Sequence, residues 1–251
     1  MRYVVTSVPK APESGPRART HAALLQAAME LIRTGIMPSV AQVAARADVS
    51  RATAYRYFPS RSKLIAAVVD TSLGPVRTTA SKHESARERV MELFDHTFPR
   101  FKEYETEMRA ALQLALEHRA LERAGMLDEE PYRRGHRVKI LAQALLPFEN
   151  QIPKPLIRRL HKALSTIYGY EAYVVLKDIW NASDREVEST VRWMATALID
   201  ATLAEAKGRG SDPTGLTPGK QRRSIKGSDP MGLTPARKTK GVGPRTGPDP
   251  E

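Results

Sequence analysis

The stretch VAQVAARADVSRATAYRYF, Val40 to Phe58, decides how the chain is read. In its first half Val40, Val43, Ala44 and Ala47 recur at the spacing that lines one face of a helix. Ser39 stands just before this run and Gln42 three residues later, the pattern in which a hydroxyl and an amide satisfy each other's backbone N–H groups. Asp48 then falls where the chain must reverse, a place for positive φ, which Asp tolerates better than most residues. Val49 plugs the inside of the corner and Ser50 caps a second short helix. There Ala54 and Phe58, four apart, turn inward, so Arg51, Thr53, Tyr55, Arg56 and Tyr57 mostly face out. Pro59 ends that helix and Ser60 caps another from about Arg61.

An ordinary solvated face carries Lys, Glu and Gln rather than two tyrosines. Against duplex DNA each outward residue has a use. Arg51 can reach guanine or a phosphate, Thr53 a base edge or a thymine methyl, and the tyrosine hydroxyls phosphate oxygens. Arg61 adds charge near a helix N-terminus that already favours anions. Two short helices joined by a tight turn, the second basic and aromatic, make a helix-turn-helix with a recognition helix. Upstream, Thr20 reads as the cap of a first helix carrying Leu24, Ala27, Ala28 and Leu31, with Gly35 as its stop. The expected DNA-contacting set is Thr20, Ser39, Arg51, Ala52, Thr53, Tyr55, Arg56, Tyr57 and Arg61.

Charge is distributed to match. The 251 residues carry a net +12, of which residues 17–70 hold +5, residues 71–206 hold none and residues 207–251 hold +6. A chain basic at its ends and balanced between them meets a polyanion at the ends and does something else in the middle. Residues 1–16 read as a flexible Pro-rich leader. Residues 207–251, with 16 Gly or Pro, read as a disordered basic tail containing the near-repeat GSDPTGLTP and GSDPMGLTP. The absence of cysteine excludes disulfides and thiolate chemistry. No apolar run is long enough to span a membrane, so a cytoplasmic protein, on the nucleoid when bound to DNA, is expected.

The stretches RTHAALLQAAMELIRTG and PSVAQVAARADVSRATAYRYFPSRSKLIAAVV carry a resemblance. From Arg19 to about Val69 the chain resembles the DNA-binding domain of the TetR family of bacterial transcriptional regulators. Thr53 and Tyr55 match that family's recognition helix. Tyr57 stands for its usual His, Arg61 for the Lys that touches phosphate, Asp48 for the turn Gly and Ala54 for a Leu. The resemblance implies an all-α protein: a helix-turn-helix domain at 17–73, then a helical effector-binding and dimerisation domain at 74–206. It further implies a homodimeric repressor of a palindromic operator, relieved by a small-molecule effector. The alternative is an architectural, sequence-tolerant DNA-binding protein with no effector.

Helical periodicity in the middle region predicts segments at 84–103, 105–124, 132–146, 154–181 and 184–206. If an effector cavity exists there, Phe94, Phe98, Phe101, Met108, Leu112 and Leu116 are the candidate lining, though such a stripe is more often core than cavity. The candidate dimer face is Leu164, Ile167, Tyr168, Val191, Met194, Ala195 and Leu198, again shared with core packing. Six histidines (21, 83, 96, 118, 136 and 161) show no metal-ligand spacing, and Gly-rich phosphate loops are missing from the region read as folded. No catalysis, cofactor or metal is expected.

Overall fold

Ser39 does cap its helix. Its hydroxyl accepts from the Gln42 backbone N–H at 3.2 Å, and the Ser39 N–H donates back to Gln42 Oε1 at 2.8 Å. The computed structural model describes residues 6–12, 14–77 and 81–210, all within one compact unit, Met1–Asp212. The paired GSDPxGLTP segments lie outside the described residues, among which every regular element is helical.

Four helices form the head: α1 (Gly15–Arg33), α2 (Val40–Arg46), α3 (Arg51–Tyr57) and α4 (Arg61–Leu73). Asp48 adopts φ 52°, as the reversal requires, and the Val49 N–H closes the turn on the Ala44 carbonyl at 2.9 Å. Ser50 and Ser60 each accept a backbone N–H three residues on, at 3.2 Å. Leu24, Ala28, Val43, Ala44, Ala54, Phe58 and Leu64 fill the centre, all essentially without solvent contact. Gly35, at φ 86°, ends the α1 segment where expected. The start of α1 differs from expectation. Pro16, pre-set for the first helical turn, lets the helix begin at Gly15, so Thr20 lies inside it and its hydroxyl bonds the Pro16 carbonyl at 3.1 Å.

Beyond the head run α5 (Ala86–Glu103), α6 (Glu105–Arg123), α7 (His136–Leu145), α8 (Lys154–Ile167), the short α9 (Tyr170–Val174) and α10 (Asp184–Gly210). Helix α4 joins the two parts, buried on nearly every side and packed on α1, α5 and α6. Three expected boundaries move. Residues 132–135 are not helical, because the Arg133 carbonyl accepts the Thr6 N–H at 3.0 Å and the Tyr132 N–H goes to His118 Nδ1. The segment expected at 154–181 breaks at Gly169, whose extended ψ of 159° starts α9; a π-helical turn, Val175–Ile179, follows. Helix α10 continues to Gly210, past the expected start of the tail.

The leader is also corrected over its described part. Thr6 is buried, its hydroxyl bonded to the Pro131 carbonyl at 3.2 Å and to the Arg133 N–H at 2.6 Å, while Val8 packs against the core. Thr6 and Val8 lie in no helix and carry no helical period, yet they form a strap.

Four of the residues expected at a dimer face, Leu164, Tyr168, Val191 and Ala195, are buried in the protomer itself. Helices α8 and α10 pack on each other, and α10 also on α5, so their apolar stripes are used within one chain. Ile167, Met194 and Leu198 are half-buried beside them. The large apolar side chain that α10 leaves to solvent is Trp193, 70% exposed.

Candidate DNA-binding face and ligand cavity

The Ser50 cap fixes where α3 begins, and the buried pair Ala54 and Phe58 fixes how it is rotated. Arg51, Ala52, Tyr55 and Arg56 then stand exposed, Tyr55 by 46%. Thr53 is half-buried, its hydroxyl accepting from Ser50 Oγ at 2.9 Å. Tyr57 is tied down rather than free: its hydroxyl donates to the Arg17 carbonyl at 3.2 Å, and its ring centroid lies 6.0 Å from that of His21. This contact sets the first turns of α1, with exposed Arg17 and Arg19, beside the end of α3. Those two arginines went unnoticed in the sequence; Pro16 was the signal that the helix started early enough to carry them. Ser39 and Thr20 use their hydroxyls locally, in the α2 cap and within α1 respectively.

Arg61 is not on this face. Its Nη2 donates to Glu117 at 2.9 Å and its Nε to Glu129 at 3.2 Å, with its side chain only 25% exposed. Burial works against its charge, but the bonds and fields of Glu117 and Glu129 outweigh that and raise its pKa. His118, buried below, accepts the Tyr132 N–H on Nδ1, which leaves the ring proton on Nε2, 3.1 Å from Glu129. Lys63 adds a bond to Glu130 at 3.0 Å and one to Ser7 at 2.6 Å. Arg33 reaches buried Glu107 at 2.9 Å. Together these bonds join the head to α6, the loop after it and the strap.

Where α4 meets α5, α6, α7 and α9 there is a cavity of about 110 Å³. Phe101 and Met108 line it, as expected. Phe94 and Phe98 do not. They stack in the core at 5.6 Å between centroids and border a separate hollow of about 200 Å³ with Val191. Leu112 and Leu116 also lie elsewhere, on an outer groove of α6 beside Val174.

The rest of the lining was illegible because it comes from separate elements: Ala66 and Val69 of α4, Thr6 and Val8 of the strap, Tyr132 to Arg134 of the loop, and the start of α7. At one end Glu171 accepts from Arg134 at 2.9 Å and from both terminal nitrogens of Arg137 at 2.6 and 2.8 Å. Burial alone would raise that carboxyl, but the two guanidinia reverse this and bring it down to about 2. Gly169 makes the pair possible, since a Cβ there would fall on the Arg137 guanidinium. Among the described residues no cluster of acids and histidines could hold a metal, and no helix is long and apolar enough to cross a membrane.

Residues 24–68 match the family described as bacterial regulatory proteins, tetR family. Over 56 residues the chain is 41% identical to the HTH-type transcriptional repressor LfrR of Mycolicibacterium smegmatis, a segment covering 22% of this chain and 30% of that repressor. The fold beyond the head is also shared. A tetR-family transcriptional regulator from Streptomyces coelicolor superposes with a TM-score of 0.54 at 16% identity, over 76% of this chain and 85% of that one. The head thus carries the helix-turn-helix of this family.

Proposed function

We propose that this chain is a sequence-specific DNA-binding transcriptional regulator, acting as a homodimeric repressor whose grip on a palindromic operator is relieved by a small molecule. The observation that carries this reading is the outward face of α3. A capped helix offers Arg51, Ala52, Tyr55 and Arg56 to solvent, with Thr53 at its rim, in a segment matching the tetR family. Arg51 and Thr53 read base edges; Tyr55, Arg56 and Arg17 hold phosphates. Exposed Trp193, with Ala197 and Ala201 further along the same helix, supports a twofold contact through the outer side of α10. Such a dimer presents two recognition helices to half-sites about one helical turn apart. The cavity supports the effector reading, because α4 supplies part of its wall and is itself the head's last helix. A ligand preferring one position of α4 shifts the population away from the DNA-competent state.

Selection of bound sequences from random duplex DNA with the full chain tests this. A palindromic motif is expected, with Arg51→Ala and Thr53→Ala each changing the ratio of operator to random binding. Recovery of no motif, with binding that vanishes as salt rises, would replace the regulator with the architectural reading.

A further inference from the structure

The cavity has an asymmetry of charge that its apolar walls make consequential. Ala66, Val69, Leu73, Phe101, Met108 and Ile140 are among its apolar lining residues. Its lining also carries Arg133, Arg134 and Arg137 against one lining acid, Glu171. Arg133 is taken by Glu122, which lies outside the lining. Glu171 stays ionised and is shared by Arg134 and Arg137, so one positive charge is left over. The three bonds to Glu171 use three of the roughly ten N–H groups that two guanidinia carry. Guanidinium groups bordering apolar walls are where a carboxylate gains most, through short charge-assisted bonds at low dielectric.

We infer that the cavity takes an amphipathic organic acid, its carboxylate on Arg134 and Arg137 and its hydrocarbon or aromatic body against Val69, Phe101 and Met108. The inference rests on the effector reading above and names the ligand's chemistry. A cation finds no acid free in the lining, because Glu171 is already engaged by both arginines. A neutral ligand leaves the surplus positive charge uncompensated. A cavity of about 110 Å³ bounds the ligand to a small molecule. Thr6 and Val8 close over the same space, so the strap is part of the site.

The test is calorimetric titration of the full chain with straight-chain monocarboxylates from hexanoate to decanoate and with phenylbutyrate, each beside its matched primary amide and amine. Acids should bind at least about tenfold tighter than their amides. Arg137→Gln should remove that preference while leaving amide binding in place; Arg134→Gln, which keeps the Arg137–Glu171 pair, should weaken it in part. Amides or amines binding as well as the acids would overturn the ligand class and leave the cavity as an effector site. Acid binding unchanged in both variants would overturn the assignment to these arginines. No heat from any probe up to about 1 mM would overturn the ligand class as well, whereas the operator selection reports on the DNA-binding head independently of all three.

Discussion

Arg61→Met separates two roles that one position can play. The sequence reading puts Arg61 on a DNA phosphate, whereas the structure turns it inward onto Glu117 and Glu129. A charge-assisted bond contributes about 1.5–3 kcal/mol when buried and an exposed pair about 0–1 kcal/mol. Arg61 is 25% exposed and its partners 38% and 23%, so about 1 kcal/mol for each pair is the reasonable middle. Removing the guanidinium also leaves Glu129 beside the buried His118 ring without its cation. The expected loss is about 2–3 kcal/mol, or about 4–12 °C in melting temperature for a domain of this size. DNA binding should keep its salt dependence. Each phosphate contact contributes about −0.9 to the slope of log K against log salt, so a residue off the DNA leaves the slope alone. Thermal melts and fluorescence anisotropy on a duplex at several salt concentrations give both numbers. An unchanged melting temperature with a slope reduced by about 0.9 for each arginine lost would refute the inward assignment.

Two further outcomes follow from buried groups. His21 is buried between Tyr57 and Phe58 with Nε2 lacking a partner, and burial lowers its pKa below the ordinary 6.5. The unfolded chain therefore binds that proton first: the penalty is absent above about pH 6.5 and grows as pH falls toward the folded value. His21→Phe should flatten that part of the stability curve in melts between about pH 7 and pH 5.5; an identical pH dependence would contradict it. Gly169→Ala keeps an allowed backbone, since φ is −84°, but its methyl displaces the Arg137 guanidinium and the Glu171 carboxylate, both ends of flexible side chains. It should cost no more than about 1 kcal/mol in urea unfolding while reducing the preference for acids as Arg137→Gln does. Retained preference would show that the pair re-forms around the methyl.

What the sequence made legible was local. The Ser39–Gln42 cap, the Asp48 reversal and the inward pair Ala54 and Phe58 are settled within a few residues of chain, and the structure has each of them. Arg61 escaped because its partners lie 56 and 68 residues away, and an outward helix end looks the same whether phosphate or Glu117 waits beyond it. The apolar stripes of α8 and α10 read alike as core and as dimer face for a related reason. Periodicity tells which side of a helix avoids water, not whether the cover is α5 or another chain; buried Val191 and exposed Trp193 sit two residues apart. The cavity mixes strap, loop and five helices, so no window of sequence contains it.

The strap gives the chain a timing problem during synthesis. Thr6 leaves the ribosome well before its partner Arg133, which is made 127 residues later. At about 5–20 residues per second that is a wait of roughly 6–25 s. Throughout it, the side of α4 bearing Ala66 and Val69 lacks the cover that the strap and the loop at 131–133 later provide. Nascent chains stalled before residue 131 should therefore recruit chaperones that bind apolar surface, and the completed chain should not.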